Sequence, residues 1–186
     1  MKKSILIIVA LFFGSISSFS QIKSEKITPP SEGKAVIYFL RTTSLGALMN
    51  MRYFNKDVYL GKFNGVNYLR YECDPGKTYF WIKAENIDVL EANLEVNKIY
   101  LVETNAAMGA FSASAKFKIV DFENEKQIKR INKLLNKKDS KTFTQNELKK
   151  QMRKQNKSFQ KGMRKVRSII KEGDFKKLTS NMNYVQ

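Results

Sequence analysis

The chain has 186 residues and a formal net charge of +17, which fits one domain plus an extension. It contains no histidine and a single cysteine, Cys73, which excludes a Ser-His-Asp triad, a Cys-His pair, a His-ligated metal, a thiolate zinc cluster and an intramolecular disulfide. Asp and Glu remain as acid/base groups but fall in no catalytic motif, so no enzyme activity, cofactor or metal is expected.

Met1–Ser20 opens with Lys2 and Lys3, continues through an apolar run from Ile5 to Phe13, and ends in small residues up to Ser18-Phe19-Ser20. This is the three-part pattern of a secretory signal peptide, with cleavage expected after Ser20 to leave Gln21 first. The apolar run falls short of the roughly 20 residues of a spanning helix, which favours cleavage over anchoring. The leader holds no cysteine, so no bacterial lipid-anchor site is expected. Export to the periplasm, the outer envelope or the exterior follows. Residues 21–33, polar and containing Pro29-Pro30, read as an extended linker.

Residues 34–121 read as β structure. Ala35–Leu40 (AVIYFL) is continuously apolar and rich in Val, Ile, Tyr and Phe, as expected of a central strand covered on both faces. Thr42–Asn50 is a loop, Met51–Phe54 a short strand and Asn55–Asp57 a turn. Val58–Trp81 reads as a three-strand antiparallel meander, with a type I′ turn at Asn64-Gly65 and a type II turn at Asp74-Pro75-Gly76-Lys77. Beyond it, Leu90, Ala92, Leu94 and Val96 alternate with Glu91, Asn93 and Glu95. Asn97-Lys98 then turns the chain into Ile99–Thr104. After a small-residue stretch, Asn105–Ser112, residues Ala113, Ala115, Phe117 and Ile119 alternate with Ser114, Lys116 and Lys118. Period-two alternation means one face buried and one wet. Seven to eight short strands at this spacing predict an antiparallel β-sandwich.

The stretches GKAVIYFLR, YFNKDVYLGKF, YECDPGKTYF and LEVNKIYLVE carry a resemblance to the bacterial family called domain of unknown function 2846. Its proline-glycine-lysine turn and late V-x-x-K-x-Y strand entry are the shared motifs, and the resemblance spans about Gly33–Thr104. It implies a sandwich of the immunoglobulin or transthyretin kind in an exported protein, with no assigned activity. It also implies frequent lipid anchoring, from which this chain departs. The shared motifs are turn and core positions and designate no site.

Three features of this half have two readings each. Cys73 shares a strand face with Leu69 and Tyr71, which favours a buried small hydrophobe over a reactive thiol. The alternating Tyr and Phe residues favour cross-strand packing over a carbohydrate platform. The apolar loop Leu45–Met49 is expected to tuck over the end of the sandwich rather than to serve as a contact surface.

Charge shifts at Phe122. Residues 123–186 hold 19 Lys/Arg against 6 Asp/Glu, a net of +13, whereas residues 21–122 hold 13 against 11, a net of +2. Residues 122–186 read as a basic helical extension of two helices. In the first, Asp121 is the expected N-cap and Ile128, Ile131, Leu134 and Leu135 form the apolar face. In the second, Thr144-Gln145-Asn146-Glu147 is a capping box, Phe143 and Leu148 suit a hydrophobic staple, and Gly173 suits a left-handed C′ residue. Projected at about 100° per residue, Leu148, Met152, Phe159, Met163, Val166, Ile169 and Ile170 fall on one side. Gln155 and Gly162 interrupt that stripe. Lys150, Arg153, Lys154, Lys157, Lys161, Arg164, Lys165 and Lys171 fall on the other, and the first seven are the candidate contact residues for an anionic surface.

The expected function is that of an exported, non-catalytic cell-envelope module whose helical extension packs on the sandwich or on a partner, an envelope protein or a second copy. The alternative is a binder of an anionic surface (membrane, lipopolysaccharide or cell-wall polymer) acting through the basic helix. Nucleic acid is disfavoured, because export is expected and no basic-aromatic recognition motif is present.

Overall fold

Every residue of strand β1 (Ala35–Arg41) is buried in the computed structural model, which describes residues 21–108 and 113–185. The expected leader, Ser20 included, lies outside the described residues. The continuous apolar run of β1 is explained by its place in the middle of a sheet covered on both sides. It pairs antiparallel with β4 (Asn67–Cys73) and parallel with β7 (Ile99–Met108), which pairs antiparallel with β8 (Ala113–Ile119). The order of this first sheet is β4-β1-β7-β8. A second sheet, ordered β3-β2-β5-β6-β9, contains β2 (Met51–Asn55), β3 (Val58–Phe63), β5 (Gly76–Lys83), β6 (Ile87–Leu94) and β9 (Lys176–Leu178). The fold is therefore mainly β, with two sheets and two helices, α1 (Glu125–Lys137) and α2 (Gln145–Glu172); both sheets are mixed and not antiparallel as expected, because β1 joins β7 and β6 joins β9 in parallel through long connections.

Three apolar clusters hold these layers together. Ile37 and Phe39 of β1 meet Tyr53, Phe80 and Ile82 of the opposite sheet in the cluster between the sheets, and the Phe39 and Phe80 rings lie 5.3 Å apart, edge to face. Val36, Tyr38 and Leu40 point the other way, onto Ile128, Ile131, Leu134 and Leu135 of α1 and onto Ile22 and Ile27. On the outer face of the second sheet, Phe54, Trp81 and Val89 receive Phe159, Val166 and Ile169 of α2. Leu148, Met152, Met163 and Ile170 pack half-buried around this cluster, so the projected stripe is the face that docks. Gly162 sits where a Cβ would come within 3.2 Å of the Trp81 ring. Its lack of a side chain, unfavourable in an isolated helix, lets α2 close onto the indole.

The meander over Val58–Trp81 does not form. β3 pairs with β2 through the turn at Lys56-Asp57, where Lys56 has φ +50°, and β4 belongs to the opposite sheet. Asn64–Val66 is thus an arch between sheets and not a hairpin. Gly65 has φ +61° but Asn64 lacks the positive φ that a type I′ turn needs at both centres. The arch is held by the Gly65 N–H donating to the Ala47 carbonyl and by the Asn67 amide donating to the Asn64 carbonyl, each at 2.8 Å.

Asp74-Pro75 is a second arch, taking the chain from β4 back to β5. Gly76 there has φ +110° and open space around the position of a Cβ, so a side chain would be opposed by backbone conformation alone. Gly76→Val is expected to lower stability by about 1–3 kcal/mol, read as a fall in the denaturant midpoint. An unchanged midpoint would show that the arch relaxes freely.

Four further differences concern element ends. β7 runs on to Met108, so Asn105–Met108 is strand paired with β8. Asn124, not Asp121, caps α1, with its side-chain oxygen accepting from the Gln127 N–H at 3.0 Å. Asp121 accepts instead from the Glu123 N–H. The tail also returns to the sheet: β9 pairs parallel with β6, a ninth strand among the described residues. For α2 the capping box at Thr144 and Glu147 and the left-handed Gly173, φ +75°, both form. Phe143 packs into the cluster between the sheets, whereas Leu148 joins the Trp81 cluster.

Candidate functional site

With its apolar stripe engaged on Trp81, the 28-residue α2 turns its charged face to solvent. Lys150, Arg153, Lys154, Lys157, Lys161, Arg164 and Lys165 are all exposed. No ion pair joins any of them to a carboxylate among the described residues. They form one basic ridge along the outer face of the second sheet. Among the described residues no helix is long and apolar enough to cross a membrane.

A second group of cations lies beside this ridge. Arg52 of β2 is directly opposite Lys62 of β3 on one side and Lys83 of β5 on the other, so three like charges stand in register across three strands. Lys83 is held by α2, donating to the Ser158 carbonyl at 2.8 Å and hydroxyl at 2.6 Å. Burial first, then the charges of Arg52 and Lys161, hold its ammonium below the usual lysine range. Arg52, Lys62, Lys150 and Lys154 border a groove of about 330 Å³ between α2 and the sheet, completed by Tyr59, Gln151 and Gln155. Tyr59 donates its hydroxyl proton to the Gln151 side-chain oxygen at 2.7 Å. Burial pushes the Tyr59 hydroxyl up to about 12, against the opposing pull of Gln155 and Arg52. The Gln155 side-chain nitrogen is buried and makes no hydrogen bond of ordinary geometry.

No family model matches the chain, and no curated protein or solved structure does either. The resemblance of Gly33–Thr104 to the domain of unknown function 2846 family rests on the quoted motifs alone.

The row of Arg52, Lys62 and Lys83 is not legible in the sequence. Each is a lone basic residue in a strand, and only the pairing register brings them together. Nor is the role of Arg41 legible there. Arg41 is fully buried at the end of β1, and its guanidinium donates to the carbonyls of Met49 (2.7 Å), Leu45 (3.2 Å) and Gly46 (2.5 Å). The loop therefore turns its backbone inward to Arg41. Only Met49 of its apolar side chains packs on the core, while Leu45 and Leu48 are 47% and 90% exposed. The expected tucking of the loop is corrected accordingly. Glu103 is the fully buried carboxylate among the described residues. It accepts from the Gln127 amide at 2.6 Å and from the Thr42 hydroxyl, which ties α1 to the end of the first sheet. Among the described residues no three His, Cys, Asp or Glu side chains gather as a metal-binding group.

Cys73 packs half-buried on the cluster between the sheets, on the same side as Leu69 and Tyr71. Burial first, with the Asp74 charge next, pushes its thiol up from 9.0 to about 11. The thiolate is the reactive form. Alkylation at pH 8 is therefore expected to be about a hundredfold slower in the native protein than in the unfolded chain. Equal rates in a stopped alkylation assay would contradict the buried thiol. Phe39, Tyr53, Phe54, Phe80 and Trp81 are buried and in contact with one another's rings, tilted, edge to face or stacked, so they pack the interior and offer no exposed platform.

Proposed function

We propose that the protein is an exported, non-catalytic cell-envelope module, an immunoglobulin- or transthyretin-like sandwich that carries α2 as a basic ridge for holding an anionic phospholipid surface. The observation that carries this reading is the division of α2 into a buried apolar stripe and seven exposed, unpaired cations. An amphipathic helix free to insert would bury its apolar face in the bilayer. Here that face is engaged on the protein's own sheet, so the interaction left to α2 is electrostatic. Each Lys or Arg near an anionic leaflet contributes about 1 kcal/mol, and the attraction fades beyond a Debye length.

The reading is tested by fractionating cells that make the full chain. The mature protein is expected to remain with the membrane fraction at low salt and to be released as salt rises towards 1 M, where the screening length is about 3 Å. Retention at all salt concentrations, or a wholly soluble protein at low salt, would overturn it.

A further inference from the structure

We infer that the groove between α2 and strands β2 and β3 is a binding site for a phosphoryl group, which shares Lys150 and Lys154 with the ridge and is able to work without any surface. The first observation is the row Lys62, Arg52, Lys83, directly opposed across β3, β2 and β5. Like charges directly opposite one another on a sheet are destabilising. Two cations of the row, Arg52 and Lys62, line the groove, and α2 adds Lys150 and Lys154 from above. Among the described residues no carboxylate lines it. Local arrangements that oppose stability without a compensating contact mark functional positions. Here the missing compensation is negative charge.

The second observation concerns the neutral groups. The Gln151 oxygen is occupied by the Tyr59 hydroxyl, so the Gln151 amide has N–H donors left to offer. The Gln155 nitrogen, also an N–H donor, is buried beside the Tyr59 hydroxyl and makes no hydrogen bond of ordinary geometry among the described residues. The groove is therefore rich in donors and in positive charge. A phosphoryl group answers both features. It carries about −1.5 to −2 charges at pH 7 when a monoester, presents three acceptor oxygens, and matches the planar fork of Arg52. A headgroup phosphate and a soluble phosphate share this chemistry.

The test is calorimetric titration of the full mature chain with sodium pyrophosphate, at an ionic strength held constant with chloride. Binding is expected. In R52Q/K62Q, and separately in K150Q/K154Q, affinity should fall at least tenfold. In R164E/K165E it should stay within about twofold, although this ridge variant changes net charge by more. R52Q/K62Q should unfold in chloride alone at the same temperature as the parent or higher, because opposed like charges are removed, and pyrophosphate should raise the midpoints of the parent and of R164E/K165E but not that of R52Q/K62Q. Stronger competition by phosphatidic acid vesicles than by phosphatidylglycerol vesicles of equal charge density would assign the site to a lipid headgroup, and equal competition to a soluble phosphate. No binding above the chloride control, or an equal loss in R164E/K165E, would overturn the site. Because pyrophosphate is soluble, that failure is distinguishable from a failure of the ridge to hold membranes.

Discussion

Replacing Phe159 with aspartate is expected to lower the unfolding free energy by about 3–5 kcal/mol. The side chain is 7% exposed, and its ring lies 5.6 Å from that of Phe54 and 5.9 Å from that of Trp81. The change removes a buried aromatic ring and leaves an unpaired carboxylate facing the rings of Phe54 and Trp81, and each effect is destabilising on its own. Met163→Asp should have the same sign and a smaller size, because Met163 is only half-buried. Reversal of Lys154, Lys157 and Lys161 to glutamate should shift stability by no more than about 0.5 kcal/mol, since all three are exposed and unpaired. Urea titrations of the four proteins give the comparison. A Phe159→Asp midpoint equal to that of the parent would mean that α2 does not dock through this face.

What was legible in the sequence follows the range of the interaction behind each feature. The caps of α2 are local: Thr144 reaches Glu147 three residues on, and Gly173 takes a conformation that its own backbone permits. The apolar stripe and the ridge follow from helical period alone, and the structure places Phe159, Val166 and Ile169 inside and Lys150, Arg153, Lys154, Lys157, Lys161, Arg164 and Lys165 outside as that period requires. The continuous run of β1 correctly implied cover on both faces. Turn residues, by contrast, report that the chain changes direction and say nothing about which sheet the next strand joins. Asn64-Gly65 and Pro75-Gly76 therefore read as hairpins, although both are arches between sheets. β9 is three residues, two of them lysine, too short and polar for any period to reveal. The cation row depends on register between strands separated by up to 31 positions, Arg52 to Lys83, and Arg41 on a loop whose carbonyls converge only in the folded chain. The candidate ridge could thus be named from the sequence, and the groove beside it could not.

The central claim, that the ridge holds anionic phospholipid by charge alone, is tested most directly by sedimenting the mature protein with phosphatidylglycerol vesicles across a salt series. The parent and the K154E/K157E/K161E variant are run side by side, with phosphatidylcholine vesicles as the uncharged control. Removing three attractions of about 1 kcal/mol each weakens binding by about a hundredfold, and the three added carboxylates repel the surface further. The parent is expected to bind phosphatidylglycerol and not phosphatidylcholine and to be released as salt rises, and the variant to fail to sediment while remaining folded. Binding that is insensitive to salt, or binding by the triple variant equal to the parent's, would contradict it.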